Sequence, residues 1–467
     1  MTHLAVLHGL RADSRSTNVQ NVVSFSTNLG CRQVTNINAF GLIPKVLRPD
    51  VIVLTYDFLA LRTWPIWKIL IKRVRALIEA APIRIAFPQD DYTNCESLDQ
   101  LFCDFGITHV YSPITVDLEL LYPRAIRRSI RFSEALTGYV DDWLMHEKKH
   151  LMRPFALRAV DLGQRVRMLG PHLGSAASVK AEVAIRFAAK AKSLGFGCDV
   201  STNPSDVLLG DDWYRFLGNC RFSVGAKGGA SIADPRGKLA DRVRRLKLRY
   251  PQMSNSEIGD RMNSSGAIHG NFGAVSPRMF ECAAMGACQI LKRDDYFDGF
   301  EPWKHYVPID SVATVDPKVW TIMRDFDQAE VIVRESQKFL LESGKYTYKH
   351  FLSRLAKDVG IEQTNIATIV TDSSIQLDAA IGHHGSALEW LQSYISRAVA
   401  RGDLDKVERG LESGQLFPLN KNDLAYRAHA EENWDSALSW IRHFRAGDLM
   451  VESIAIPWRT ASSFLAM

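Results

Sequence analysis

The sequence GAVSPRMFECAAMGACQIL at residues 273–291 predicts a loop, a short helix and a strand in succession. The helix spans Pro277 to Met285, because proline is favoured in a first helical turn and Gly286 can end the helix. The strand then covers Ala287 to Leu291. A helix that leads directly into a short apolar strand is typical of α/β proteins with parallel sheets.

The same alternation of short apolar runs and helical segments extends over most of the chain. Such runs predict buried parallel strands, with ligands bound at their carboxyl ends. A helix is predicted at Lys180–Leu194, and a glycine-rich turn at residues 225–231. The predicted strands are Leu4–Leu7, Val51–Leu54, Ile83–Phe87, Thr108–Tyr111, Val166–Leu169, Cys220–Val224, Ala287–Leu291 and Tyr306–Ile309.

Length and composition exclude several classes of protein. The chain has 467 residues, of which 46% are hydrophobic and 23% charged, so a disordered or fibrous protein is excluded. A net charge of +5 suits an anionic ligand or membrane surface. The sequence has no long block of Lys and Arg, so nucleic-acid binding is not predicted. Seven cysteines without a C-x-x-C pair argue against a disulfide scaffold or a cysteine-ligated zinc. Neither a signal peptide nor a membrane span is predicted, so we expect a cytoplasmic protein.

Changes in composition divide the chain into three regions. The charged segment Asp141–Arg153 predicts a junction between an α/β domain at residues 1–150 and another at 151–375. Residues 376–467 predict an all-helical extension. Within it, ARGDLDKV at 400–407 and AEENWDSA at 430–437 resemble each other, which favours tetratricopeptide-like hairpins; the alternative is an ordinary helical subdomain.

Arg278 and Glu281 are the side chains that most directly indicate chemistry. Arg278 lies in the first turn of the helix predicted at 277–285, where backbone N–H groups attract anions, and Glu281 follows three residues later on nearly the same face. Arg278 would grip a phosphate there, and the Glu281 carboxylate would accept both hydroxyls of a ribose. The alternative from spacing alone is a surface ion pair between positions i and i+3.

Several further segments, in the same order, resemble one known family. The segments are DWYRFL at 212–217, GASIADPRG at 229–237, SPRMFECAAMG at 276–286, HYVPI at 305–309 and SGKYTY at 343–348. Together they resemble the nucleotide-sugar-binding half of GT-B glycosyltransferases, in particular bacterial group-1-like enzymes of surface polysaccharide assembly. The resemblance covers roughly residues 155–360. The first half shares only its strand pattern and the segment PQDDY at 88–92.

The resemblance implies a GT-B fold, in which two Rossmann-like α/β domains face a cleft. The second domain would bind a nucleotide-sugar and the first a glycan or lipid-linked acceptor, without a metal or other cofactor. The implied donor-binding residues are Arg165, Lys227, Gly229, Ser231, Ser276, Arg278, Glu281, His305 and Tyr306. An inverting reaction also needs a base for the acceptor hydroxyl. Asp90, Asp91 and His8 follow strand ends and are the candidates; the alternatives are a helix cap for the aspartates and a structural histidine.

Three positions depart from the family pattern. Lys227 stands where an acidic residue is expected, so a cation there would help to neutralise a diphosphate. Gln164-Arg165 replaces a Y-R pair and retains only the arginine. The E-x₇-E pair of many retaining enzymes is absent, because Gly273 lies eight positions before Glu281. This argues against a retaining mechanism of that type and leaves inversion open.

Three other hypotheses arise from the sequence. His146-Glu147-Lys148-Lys149-His150 matches the zinc motif H-E-x-x-H, but two lysines beside a divalent cation are adverse, so a solvated linker helix is expected. The basic, apolar segment Trp64–Ile78 predicts a helix covering the sheet or one resting on an anionic membrane. The last hypothesis is a non-catalytic scaffold that keeps the fold and whose helical tail recruits a partner of a polysaccharide assembly complex; Lys227 and the repeat-like tail favour it.

Overall fold

The computed structural model describes residues 2–372, except 11–13, 15, 32, 42, 45, 65, 141–142, 148, 209, 264–266 and 364–368. The predicted helical extension at 376–467 therefore lies outside the described residues. The described chain forms two parallel sheets, each covered by helices, and one antiparallel hairpin. The α/β class with two Rossmann-like domains, as expected of a GT-B fold, is confirmed.

The strands are β1 (His3–His8), β2 (Gln33–Asn38), β3 (Val51–Leu54), β4 (Ile83–Ala86), β5 (His109–Ser112), β6 (Arg131–Glu134), β7 (Val160–Arg165), β8 (Cys198–Ser201), β9 (Cys220–Gly225), β10 (Gly228–Ala233), β11 (Ile268–Ala274), β12 (Cys288–Lys292), β13 (Val307–Ile309) and β14 (Ile369–Asp372). The α-helices are α1 (Ser16–Asn28), α2 (Tyr56–Ala60), α3 (Trp67–Ala80), α4 (Cys95–Asp104), α5 (Leu118–Leu121), α6 (Pro123–Arg127), α7 (Ser175–Ser193), α8 (Gly210–Gly218), α9 (Lys238–Arg249), α10 (Asn255–Asn263), α11 (Arg278–Ala284), α12 (Pro317–Arg324), α13 (Phe326–Gln337) and α14 (Tyr348–Val359).

The first sheet has the strand order β14-β2-β1-β3-β4-β5-β6, and all its pairs are parallel. Side chains of successive strand residues alternate between two cores. One core packs against α3 and α4, through Leu70 and Leu98 among others. The other packs against α1 and α14, through Val22 and Leu355 among others. Burial on both faces explains the nearly uninterrupted apolar strands.

The second sheet has the parallel order β13-β12-β9-β7-β8. The prediction of a strand at Val166–Leu169 is wrong, because the strand comes earlier, at Val160–Arg165. That strand depends on Gly163, where a Cβ would lie 2.1 Å from the sulfur of Cys220 on the neighbouring strand. A search for apolar runs does not detect such a close approach.

The glycine-rich segment predicted as a turn is mostly strand. Only residues 226–227 connect β9 to β10, and β10 pairs with β11 in an antiparallel hairpin. Gly229 has φ +122°, and a Cβ there would lie 2.2 Å from the Phe272 carbonyl oxygen. The hairpin packs into the first domain's core through Ala230, Ala233 and Phe272.

The chain returns to the first domain at its end. Helix α14 packs with α1, and β14 pairs with β2 at the edge of the first sheet. Helix α14 thus belongs to the core of the first domain and β14 to its sheet, although the predicted second domain ran to residue 375. The two crossings between the domains are adjacent, since Val140 N–H donates to the Tyr346 carbonyl at 2.8 Å. Among the described residues, no helix has the length and apolarity needed to cross a membrane.

Candidate functional site

The carboxyl edge of the first sheet contacts the second domain at several points. After β6, the Thr137 hydroxyl donates to the Val275 carbonyl at 2.6 Å, just before α11. After β4, Asp234 N–H donates to the Tyr92 carbonyl at 2.7 Å. Ligands of parallel α/β sheets bind at this edge. The predicted donor residues of α11 therefore lie near the strand ends that carry the predicted base.

Glu281 connects the two domains. Its Oε2 accepts a hydrogen bond from Trp213 Nε1 at 2.8 Å, and its Oε1 accepts one from the Thr17 hydroxyl of α1 at 3.4 Å. A surface ion pair between Glu281 and Arg278, the alternative from spacing alone, does not account for either of these two hydrogen bonds. Trp213 fixes one carboxylate oxygen, whereas the longer contact to Thr17 leaves the other oxygen more easily displaced.

Arg278 and Arg165 belong to one stack of aromatic and guanidinium groups. The Arg278 guanidinium lies 5.1 Å from the centre of the Trp213 ring, and Trp213 stacks on Phe216 with 5.8 Å between ring centres. Arg165 lies over the other part of this stack, 4.3 Å from the Phe216 ring. One face of α8 thus organises three predicted donor residues: Arg165, Arg278 and Glu281.

The Arg165 charge is already paired. Its guanidinium forms an ion pair with Asp199 at 2.8 Å and also donates to the Asp199 carbonyl at 3.0 Å. Only 17% of the Arg165 side chain is exposed. In this conformation the guanidinium therefore faces β8, and binding a diphosphate would compete with Asp199.

Lys227 likewise has a carboxylate partner. Its Nζ lies 3.0 Å from Asp294 Oδ1 and 5.9 Å from the centre of the Tyr296 ring. The side chain lies in the connection between β9 and β10, at the carboxyl edge of the second sheet. Both partners remain partly exposed, so the lysine is accessible to an anion that replaces Asp294.

His305 and Tyr306 are buried in an aromatic cluster. The His305 ring stacks on Phe300 with 5.3 Å between ring centres, and its Nδ1 accepts a hydrogen bond from Glu301 N–H at 2.8 Å. Burial lowers the pKa of His305. Tyr306 is 1% exposed and also stacks on Phe300. Neither side chain presents a polar surface to a donor sugar in this conformation.

The remaining predicted donor residues shape the backbone around these side chains. Gly229 lies in β10, where its φ requires glycine. The Ser231 hydroxyl accepts from Ala176 N–H at 3.3 Å and so caps the first turn of α7. Ser276 is half-buried, and its carbonyl accepts from Met279 N–H at 3.1 Å, which starts α11.

Asp90 is the exposed member of the three predicted bases. It has φ +49°, and its two carboxylate oxygens accept from the hydroxyls of Tyr56 at 3.3 Å and Tyr92 at 2.8 Å. The buried Arg62 guanidinium donates to the carbonyls of Asp90 and Thr93, at 2.8 and 2.9 Å. These contacts hold the loop after β4, so the Asp90 carboxylate has a defined position at the sheet edge.

Asp91 and His8 are completely buried. Asp91 Oδ2 accepts from the hydroxyls of Ser112 at 2.7 Å and Tyr122 at 2.6 Å, and burial raises the Asp91 pKa. Burial also lowers the pKa of His8 to about 3, so its imidazole is neutral near pH 7. Neither group reaches the surface in this conformation. A catalytic role for any of the three candidates stays a prediction.

Sequence reasoning gave no role to Trp213, Arg62 or Tyr56. Trp213 stands in the DWYRFL segment three positions before Phe216, a spacing that places both rings on one face of α8. This spacing is the feature of the sequence that points to Trp213. Arg62 and Tyr56 lie far from Asp90 in sequence, and no local pattern indicates that they contact its loop.

The H-E-x-x-H segment does not form one α-helix. Residues Trp143–Glu147 form a π-turn and Lys149–Leu151 a 3₁₀ turn, in place of the expected solvated linker helix. Within residues 2–372 as described, no three His, Cys, Asp or Glu side chains are grouped so that they could hold a metal ion.

No family model and no curated protein matches the chain. It is similar to solved structures that include HepE of Anabaena in complex with UDP-glucose (8% identity, TM-score 0.40, 77% of this chain and 100% of that chain covered). Another is sucrose-phosphate synthase of Thermosynechococcus elongatus, with 9% identity and a TM-score of 0.39 over 76% of this chain and 98% of that chain. A third is a glycosyltransferase of Rickettsia africae, with 11% identity and a TM-score of 0.39 over 78% of this chain and 99% of that chain. A likeness at such scores does not show the activity of this chain.

Proposed function

We propose that the protein is a glycosyltransferase that moves a sugar from a nucleotide-sugar donor to a glycan or lipid-linked acceptor. The observation that carries the proposal is the position of Glu281. It lies one helical turn after Arg278, is fixed by Trp213 Nε1 at 2.8 Å, and contacts α1 of the first domain. A carboxylate held by one oxygen offers the other to ribose hydroxyls.

The leaving diphosphate develops negative charge as the glycosidic bond breaks, and fixed cations stabilise that charge. Arg278 is our first choice, because its guanidinium lies against Trp213 beside Glu281. Lys227 is the second, provided that the diphosphate takes the place of Asp294. With cations in this role, the proposed reaction needs no metal.

For an inverting reaction, we assign the base to Asp90. It is exposed at the carboxyl edge of the first sheet, and its loop is held by Arg62. An acceptor hydroxyl would hydrogen-bond to the carboxylate in place of one of the two tyrosine hydroxyls. The proton would move to Asp90 as the hydroxyl oxygen attacks the anomeric carbon and the diphosphate departs.

For the acceptor, we propose a membrane-side glycan of bacterial surface polysaccharide, reached from the cytoplasm. Leu70, Val74 and Leu77 bury one side of α3 in the first core, as the sheet-covering alternative requires. The other side is exposed and basic, with Lys68 and Lys72, next to Ile69, which is 66% exposed. Apolar side chains beside cations favour an anionic bilayer.

The scaffold hypothesis has a specific observation in its favour. Arg165 and Lys227 each form an ion pair with a carboxylate. These ion pairs neutralise both cations without a diphosphate, as expected of a protein that does not bind one. In that case residues 376–467 would recruit a protein of a glycan assembly complex, and nucleotides would not bind.

Thermal unfolding of the full chain with UDP, GDP, CMP or dTDP separates the two proposals. A nucleotide at about 100 times its Kd stabilises the folded protein by roughly 2.7 kcal/mol. We expect one nucleotide to raise the Tm of the wild type but not of Glu281→Ala. Glu119→Ala, which changes an exposed glutamate of α5, is the matched control and should respond as the wild type does. A folded wild type that no nucleotide stabilises would instead support the scaffold.

A further inference from the structure

Helix α9 carries a straight row of cations along its exposed side. Lys238, Arg242, Arg245 and Arg249 follow one another at intervals of three or four residues, so all four project from one face of the helix. Each of the four is exposed. The opposite side packs Val243 against α10.

Two carboxylates near this row form ion pairs with cations outside it. Asp241 pairs with Arg244 at 2.8 Å, and Glu96 of α4 pairs with Arg236, although the charge of Lys238 also acts on Glu96. Arg242, Arg245 and Arg249 are the exposed cations that remain for an anionic surface. Two large apolar side chains lie at the end of the helix, Leu248 at 76% exposure and Tyr250 at 42%.

The hairpin that carries α9 and the helix α3 pack into the same core of the first domain. Helix α9 belongs to the connection between β10 and β11, and this hairpin packs through Ala230 and Phe272 into the core that also buries Leu70 and Val74 of α3. Helix α3 has its own exposed row of Lys68, Lys72 and Arg75 at the same spacing, of which Arg75 forms an ion pair with Glu79 at 2.8 Å. Each domain thus contributes a basic row flanked by exposed apolar side chains.

We propose that α9 is a second docking element for an anionic phospholipid bilayer, so that the membrane contacts both domains. The inference rests on the proposed contact between α3 and the same surface. A lipid surface fits better than a nucleic acid, because Leu248 would enter the acyl region but has no counterpart in a phosphate backbone. The bilayer would then limit the relative motion of the domains while the acceptor remains membrane-bound.

Co-sedimentation of the full chain with phosphatidylglycerol-containing vesicles tests this inference. In the α9 variant, Arg242, Arg245 and Arg249 are each replaced by Gln. The matched control carries Arg186→Gln, Lys190→Gln and Lys192→Gln, which remove the same charge from exposed positions of α7. We expect about 100-fold weaker partitioning for the α9 variant, because each cation near an anionic bilayer contributes about fivefold. The α7 variant should partition as the wild type does.

The other outcomes are distinguishable. Binding that is lost only when Lys68, Lys72 and Arg75 are changed to Gln would overturn the role of α9 and keep that of α3. An equal loss in the α7 control would show a net-charge effect and overturn the inference. Wild-type protein that binds a single-stranded oligonucleotide but not vesicles would replace the bilayer by a nucleic acid. The α9 variant should still show the nucleotide-induced rise in Tm, because α9 contributes no predicted donor residue. This measurement separates a loss of membrane binding from a loss of folding or of donor binding.

Discussion

Replacing Trp213 by phenylalanine removes one hydrogen bond from the candidate site and leaves a ring in place. The indole Nε1–H holds Glu281 Oε2 at 2.8 Å, while the ring itself stacks on Phe216 and lies under Arg278. Phenylalanine keeps most of the stacking but has no donor. The substitution therefore tests whether the orientation of the carboxylate matters for binding the nucleotide.

The size of the effect follows from the character of the bond. A hydrogen bond to an ionised acceptor contributes about 1.5–3 kcal/mol. Glu281 is only half-buried, so water replaces part of this contribution, and we expect about 1–2 kcal/mol. For a nucleotide that depends on Glu281, this corresponds to a Kd about 5 to 30 times higher.

Isothermal titration calorimetry with the nucleotide that stabilises the wild type measures this change directly. Trp320→Phe is the matched control, since Trp320 stacks on Phe187 in the second domain's core. Its affinity should equal that of the wild type. Wild-type affinity in Trp213→Phe, together with lost affinity in Glu281→Ala, would refute the argument that Trp213 positions the carboxylate.

Three further substitutions test the base, the hairpin and the buried histidine. Asp90→Asn should lose turnover and keep nucleotide affinity, and full turnover in an assay of sugar transfer would exclude Asp90 as the base. Gly229→Ala should cost more than about 2 kcal/mol in thermal unfolding, because its Cβ would meet the Phe272 carbonyl at 2.2 Å; Gly195→Ala, at positive φ but in open space, should cost only about 1 kcal/mol. His8 has a folded pKa of about 3 and takes up a proton near pH 6.5 only when unfolded, so stability falls as the pH drops below 6.5. By pH 5 this loss is about 2 kcal/mol, and denaturant titrations at pH 7 and 5 should show it in the wild type but not in His8→Asn.

Apolar strands could be predicted from the sequence, whereas buried polar ones could not. Val51–Leu54 is a strand with the predicted bounds. Strand β2, Gln33–Asn38, was missed because its sequence QVTNIN is polar. Its buried amides are satisfied by distant groups: Asn36 bonds to Ser26, and Asn38 donates to the Leu10 carbonyl at 2.9 Å. Such partners leave no periodic pattern.

For the candidate site, the sequence indicated which strand ends matter but not how deep each side chain lies. Asp90 and Asp91 are adjacent, yet one is exposed and the other has no exposed surface. The sequence also did not indicate that a predicted cation of the site is paired with a carboxylate. The carboxylate that pairs with Lys227 is Asp294, which lies on a different strand connection and becomes its neighbour only in the folded sheet.

The return of α14 to the first sheet determines when that domain can be completed during synthesis. The Tyr348 hydroxyl donates to Asn21 at 2.5 Å, 327 positions earlier, and Phe351 stacks on Tyr139 with 4.4 Å between ring centres. Until α14 leaves the ribosome, the apolar side of α1 that it covers is exposed to other nascent chains and to chaperones. The strands of the second sheet, which end at Ile309, are thus synthesised before the helix that completes the first domain, so this domain cannot close until residue 359 has been made.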